Sequence, residues 1–190
     1  MKNYEIKEVR DRVFAVIMKD NYARPMTFLR VQEYYESPNP EFRGKHFNIG
    51  VRSLSDSWKS KWDETMKDIV WEVQSRMFNK KSRRDMNAYI IGASDTENST
   101  FQHEVAHGLY YTNKEYKELM DEITQTIPLA HYLKFRKNLA KMGYTETVMD
   151  DEIQAYLTWG WDYAKFSKGV SKQLCKQLNK QYRKVFDRYL

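Results

Sequence analysis

The stretch Phe101-Gln102-His103-Glu104-Val105-Ala106-His107-Gly108 constrains this chain more than any other. It carries the string His-Glu-x-x-His. On an α-helix, positions i and i+4 lie one turn apart on the same face. His103 and His107 are therefore spaced to offer one imidazole nitrogen each to a single zinc ion, at about 2.0–2.1 Å. Glu104 sits about 100° further round the helix, off the line of the two imidazoles but within reach of a water on such an ion. Two imidazoles beside a carboxylate suit metal-assisted hydrolysis, in which the metal acidifies a water and the carboxylate, here Glu104 as general base, takes its proton.

The competing reading is a helix that carries two of the chain's four histidines with no metal between them. The flanking sequence favours the metal. Asn98, Ser99 and Thr100 precede the string, and Ser99-x-x-Gln102 reads as a capping box that starts a helix there. Upstream, residues 88–92 (Ala-Tyr-Ile-Ile-Gly) form a short apolar run rich in β-formers, read as a strand. Val105 and Ala106 are expected to point away from the metal and pack the helix. Gly108 or Ala155 would let neighbouring helices approach.

Two features then carry a family resemblance: the string His103 to His107, and Asp151-Glu152-Ile153-Gln154-Ala155-Tyr156 downstream. Together they resemble the gluzincin zinc metallopeptidases and, in size, the compact minigluzincins. The resemblance covers about residues 88–160. More loosely, the whole chain is similar to proteins of this type from large tailed phages. The resemblance implies a zincin-like fold and one zinc ion per chain, held by His103, His107 and, as third ligand, Glu152. Ala155 then matches the small residue where two helices pack closely. A protein or peptide substrate is implied, with the 88–92 strand as an edge on which an extended substrate pairs. The sequence departs from the family at Tyr156, where many members carry an aspartate that orients a ligand histidine. The orienting acceptor must come from elsewhere: a backbone carbonyl, Asp150 or Asp151.

Several assignments stay open at this level. Asp150, Asp151 and Glu152 all suit the first turn of a helix on electrostatic grounds alone. Asp151 is therefore the alternative third ligand, and Glu122 a more distant one. A hydrogen-bond donor for an oxyanion could come from Tyr156, Tyr144 or His131.

The rest of the chain indicates an α+β protein, helix-rich, with a small sheet against the His-Glu-x-x-His helix. A single domain over residues 1–190 is expected, which is ample length for a buried core. Residues 13–18 (Val-Phe-Ala-Val-Ile-Met) read as a buried strand. A helix is expected after Pro25, carrying Phe28, Leu29, Val31 and Tyr35 and stopped by Ser37-Pro38-Asn39-Pro40. Residues 42–50, with His46 read as a solvated or packed histidine, are a second strand or an ordered loop. Trp58, Trp62, Met66, Ile69, Val70, Val73 and Phe78 recur at helical spacing from Ser57 onward. Lys80-Lys81-Ser82-Arg83-Arg84 reads as a solvated loop before the 88–92 strand, with phosphate binding as the alternative. Thr112-x-x-Glu115 is expected to cap the next helix, which Pro128 ends. A further helix follows over residues 131–142, stopped by Gly143, and another from Asp150 to about Trp159.

A long amphipathic helix is expected from Phe166 to the C-terminus. Its apolar stripe is Val170, Leu174, Leu178, Tyr182, Phe186 and Leu190. Its opposite ridge is Lys168, Lys172, Lys176, Lys180, Lys184 and Arg188, at strict four-residue spacing. Residues 165–190 hold eight basic residues and one acidic, a net of +7, against +6 for the whole chain. The basic character is thus local: a solvated face, or a contact for nucleic acid or an acidic partner. That leaves two other functional readings, a zinc-binding but non-catalytic interaction or virion-structural module, and a nucleic-acid-associated factor. The single cysteine, Cys175, excludes an internal disulfide framework and a cysteine zinc site. The charged N-terminus lacks the apolar core of a signal peptide, and no run of about 18 apolar residues occurs. The expected location is cytoplasmic (host cytoplasm or virion for a phage protein), with no membrane contact.

Overall fold

The computed structural model describes residues 3–19, 64–78 and 88–190. The expectations for the helix after Pro25, for residues 42–50 with His46, for Trp58 and Trp62, and for the Lys80–Arg84 run lie outside these residues. Within them the fold is α+β and mostly helical: six α-helices, one short 3-10 turn and a three-stranded sheet.

The sheet has the order β1-β2-β3, with β1 Glu5–Arg10, β2 Val13–Ile17 and β3 Tyr89–Ala93. The first pair is an antiparallel hairpin and the second pair is parallel. β1 was not evident in the sequence. Its pattern, Glu-Ile-Lys-Glu-Val-Arg, is mostly charged, and only Ile6 among its residues is fully buried. It forms because β2 gives it a template. The hairpin turns through Asp11 and Arg12, and Arg12 takes the left-handed backbone (φ 60°) that so tight a reversal needs.

β2 lies between its two partners and is buried on both faces, which accounts for its unbroken apolar run. Alternation sorts its side chains. Phe14, Val16 and Met18, with Ile6 and Ile90, meet α1 (Glu64–Phe78) through Met66, Ile69, Val70 and Val73. Val13 and Ala15, with Tyr89, Ile91 and Ala93, face the larger helical layer. Its first member is α2, Ser99–Thr112, the helix of the histidine string. After it come α3 (Lys114–Gln125), α4 (Leu129–Met142), α5 (Met149–Thr158) and α6 (Lys172–Phe186).

Two caps fall one residue from the expected positions. Asn98, not Ser99, caps α2, its side-chain oxygen accepting the Phe101 N–H at 2.7 Å. Asn113, not Thr112, caps α3 by accepting the Tyr116 N–H at 3.0 Å. Asparagine serves as well as serine at this position, and Thr112 is still helical, its hydroxyl donating to the Gly108 carbonyl. Gly143 ends α4 in the left-handed conformation (φ 101°), as a C-terminal glycine should.

Gly108 has a different neighbour from the one expected. It faces the sheet: a Cβ there would stand 2.7 Å from Val13 Cγ1 and 3.2 Å from Tyr89 Cδ1. The missing side chain is what lets α2 lie down on β2 and β3. Ala155 is fully buried on α5, in the cluster it shares with Val105 and Ala106 of α2. The C-terminal helix is shorter than the pattern suggested. It starts at Lys172, and residues 161–171 form turns. Gly169 at φ 75° breaks any helix running through from Phe166. Cys175, Leu178, Tyr182, Val185 and Phe186 are buried, while all six basic ridge residues are exposed. No helix among the described residues is long and apolar enough to cross a membrane.

Candidate metal centre

The centre lies where α2 crosses α5. The two histidines come from successive turns of α2. Glu152 comes from the first turn of α5, where the acidic triplet also meets the positive end of the helix dipole. His103 Nε2 and His107 Nε2 are 3.1 Å apart. Glu152 Oε2 is 3.9 Å from His103 Nε2, and Glu152 Oε1 is 3.7 Å from His107 Nε2. Three ligands of a tetrahedral zinc, each about 2.0–2.1 Å from the ion, stand about 3.3–3.4 Å from one another. The two imidazole nitrogens stand close to that value, while one ligand atom from each of the three residues lies within 4.8 Å of the others, so Glu152 would have to draw in toward the imidazoles for all three to share one ion. Among the described residues this is the group of three or more histidine, cysteine or acidic side chains able to hold a metal.

The outer nitrogens of both rings are anchored. His107 Nδ1 donates to Asp151 Oδ1 at 2.8 Å, and His103 Nδ1 donates to the Trp159 carbonyl at 3.0 Å. Neither a carbonyl nor a carboxylate can donate, so each Nδ1 carries a hydrogen, and each Nε2 is the nitrogen turned inward toward the position of an ion. Asp151 is thus the orienting acceptor for one ring and a backbone carbonyl serves the other. Asp150 does neither; it accepts from the Tyr132 hydroxyl at 2.7 Å. Asp151 is held in turn: Gln154 Nε2 donates to Asp151 Oδ1 at 2.9 Å, and the Tyr116 hydroxyl donates to Gln154 Oε1 at 3.1 Å. Asp151, Glu152 and Gln154 are all buried.

Electrostatics separates the two rings. Burial and the neighbouring His107 hold the His103 imidazole down to about 4, so it stays neutral. Burial opposes charge on His107 too, but Asp151, Glu152 and Glu104 outweigh it and push the ring up to about 10. The field at the crossing therefore favours a positive charge between the rings, and a cation answers to the same field as a proton. Glu104 is half-buried and near enough to act electrostatically on both His107 and Tyr156.

The other sequence candidates fall elsewhere. Glu122 is exposed on α3 and outside the metal group. Asp151 faces the outer nitrogen of His107 and does not belong to the ligand triangle. Tyr156 does flank the site: its ring meets the His103 ring edge-on, with centroids 4.7 Å apart, and its hydroxyl lies 3.2 Å from that of Tyr144. Gln154 and Tyr116 escaped the sequence reading. A helical glutamine three residues after an aspartate is commonplace, and nothing local marks it as buried.

Fold and site together define an α+β protein with a buried His-His-Glu group that could hold a metal ion. Scanned against protein families, curated proteins and solved structures, the chain matches none.

Proposed function

We propose that this chain is a zinc-dependent peptide hydrolase of gluzincin type. The observation that carries this reading is the meeting of His103, His107 and Glu152 from two helices, with Glu104 beside them on the ligand helix. The donor set, two imidazoles and one carboxylate, suits zinc and leaves a fourth position open, which distinguishes a catalytic site from a closed structural one. When bound, the zinc supplies Lewis acidity toward a water and a peptide carbonyl. Glu104 takes the water's proton and passes it to the departing amine. Asp151 and the Trp159 carbonyl keep both imidazoles turned inward throughout. A module that only bound zinc would gain nothing from a carboxylate at position 104.

The test combines metal analysis with cleavage of a peptide library. The wild type is expected to hold about one zinc per chain. His107→Ala should hold little. Glu104→Gln should keep its zinc and lose cleavage by a factor of about 10²–10⁴, the usual contribution of a general base. Equal cleavage by the Gln variant would remove Glu104 from the mechanism. A wild type without bound zinc would remove the hydrolase reading itself.

A further inference from the structure

Tyr156 follows Glu152 by one turn of α5 and so shares its face. Besides meeting His103, its ring is stacked with Phe166 at 4.7 Å and with Tyr163 at 6.1 Å. The same ring lines a cavity of about 550 Å³. Tyr144, Tyr156 and Tyr163 form its aromatic wall, and Lys141, Lys165 and Lys168 stand around it. No aspartate or glutamate among the described residues lines it.

The lysines are carried by fixed backbone. Lys141 is in the last turn of α4. Lys165 and Lys168 sit in the turns that precede α6, and α4 pins these turns. Asn138 Nδ2 donates to the Phe166 carbonyl at 2.8 Å and to the Lys168 carbonyl at 3.0 Å, and Lys134 Nζ donates to the Gly169 carbonyl at 2.8 Å. Three cationic groups around a concave wall concentrate a field of one sign inside it.

We propose that this cavity is the subsite that selects the substrate, and that it takes a peptide carboxylate, from an acidic side chain or from a free C-terminus. The proposal rests on the hydrolase reading above. Its occupant would meet the Tyr156 ring, the same ring that contacts the His103 imidazole. Lysines with tyrosines also suit phosphates and stacked bases, so a nucleic acid is the rival occupant that the experiment must separate.

The experiment uses the full chain as the zinc-loaded Glu104→Gln protein, so that binding is read without turnover. Fluorescence anisotropy is measured with four labelled hexapeptides: acidic or neutral, each with a free or an amidated C-terminus. A labelled oligothymidine is the fifth probe. Peptides with a carboxylate should bind about tenfold tighter than the neutral amidated one, the sum expected of three exposed charge contacts. The free and amidated arms show which carboxylate is read. Replacing Lys141, Lys165 and Lys168 together by Ala should shrink the preference to about twofold or less. Replacing all three by Glu should reverse it toward lysine-bearing peptides, with an unchanged thermal midpoint showing that the fold is kept. Equal binding of all four peptides would overturn the proposal. So would a preference that survives the Glu replacements, or tight oligothymidine binding with no discrimination among peptides. If carboxylate preference holds while the wild type cleaves no peptide, the cavity binds carboxylates, but the hydrolase reading falls and the cavity's role in substrate selection falls with it. If cleavage occurs without charge preference, the subsite alone falls.

Discussion

His103 and His107 are four positions apart and sit in nearly opposite electrostatic surroundings. One is held neutral by burial and by its partner; the other is held by the carboxylate of Asp151, with Glu152 close by. Asp151 carries much of that difference, since it accepts from His107 and is itself fixed through Gln154 and Tyr116. Asp151→Asn keeps the shape and removes the charge. It is expected to weaken zinc binding by about 10–100-fold, the usual loss when a partner of a ligand histidine is changed. Competition with a chromogenic chelator reads this directly, and an unchanged affinity would mean that Asp151 serves packing alone. The string containing His103, Glu104 and His107 could be read from spacing, because a helix fixes what lies one turn away. The partners could not. Trp159 contributes only its carbonyl, an atom that every residue has. Asp151 and Glu152 are adjacent in sequence, and only the rotation of α5 shows which one faces the ligand triangle.

At the scale of elements, the centre depends on how closely α2 approaches the sheet on one side and α5 on the other. Gly108 sets the first distance and the buried Ala155 contributes to the second. Gly108→Ala would push a methyl into Val13, a branched side chain on a strand buried on both faces. The expected cost is about 1–3 kcal/mol, the range for overpacking a filled core. For a chain of this size that lowers the thermal midpoint by about 2–4 °C per kcal/mol. Val13→Ala should recover part of the loss in the double variant, because the two changes meet at one contact. Strictly additive costs would show that the strain lies elsewhere. Most helices were legible from apolar spacing and their stop signals. β1 was not, because its strand character is borrowed from β2. The start of α6 is not legible either, because amphipathic spacing continues back to Phe166 while Gly169 has already left the helical conformation.

For the whole molecule, the proposed ion would join two helices that are distant in sequence, so metal binding and folding are coupled. At free zinc about a hundredfold above the dissociation constant, linkage adds about 2.7 kcal/mol to stability. Chelation should therefore lower the wild-type melting midpoint measurably and leave that of His107→Ala unmoved; equal responses would show that the ion binds elsewhere. The sequence by itself determined the helix of the histidine string, the buried strand β2, the acidic start of α5 and the basic ridge of α6. These follow from local periodicity, capping chemistry and charge, which act over a few residues. Only the tertiary structure decided that Glu152 faces both imidazoles, that Asp151 and the Trp159 carbonyl orient them, and that three lysines and three tyrosines surround one cavity beside them. Each of those depends on where α5 crosses α2 and how far it is turned about its axis. Packing over the whole helical layer sets both, and no short stretch of sequence encodes either.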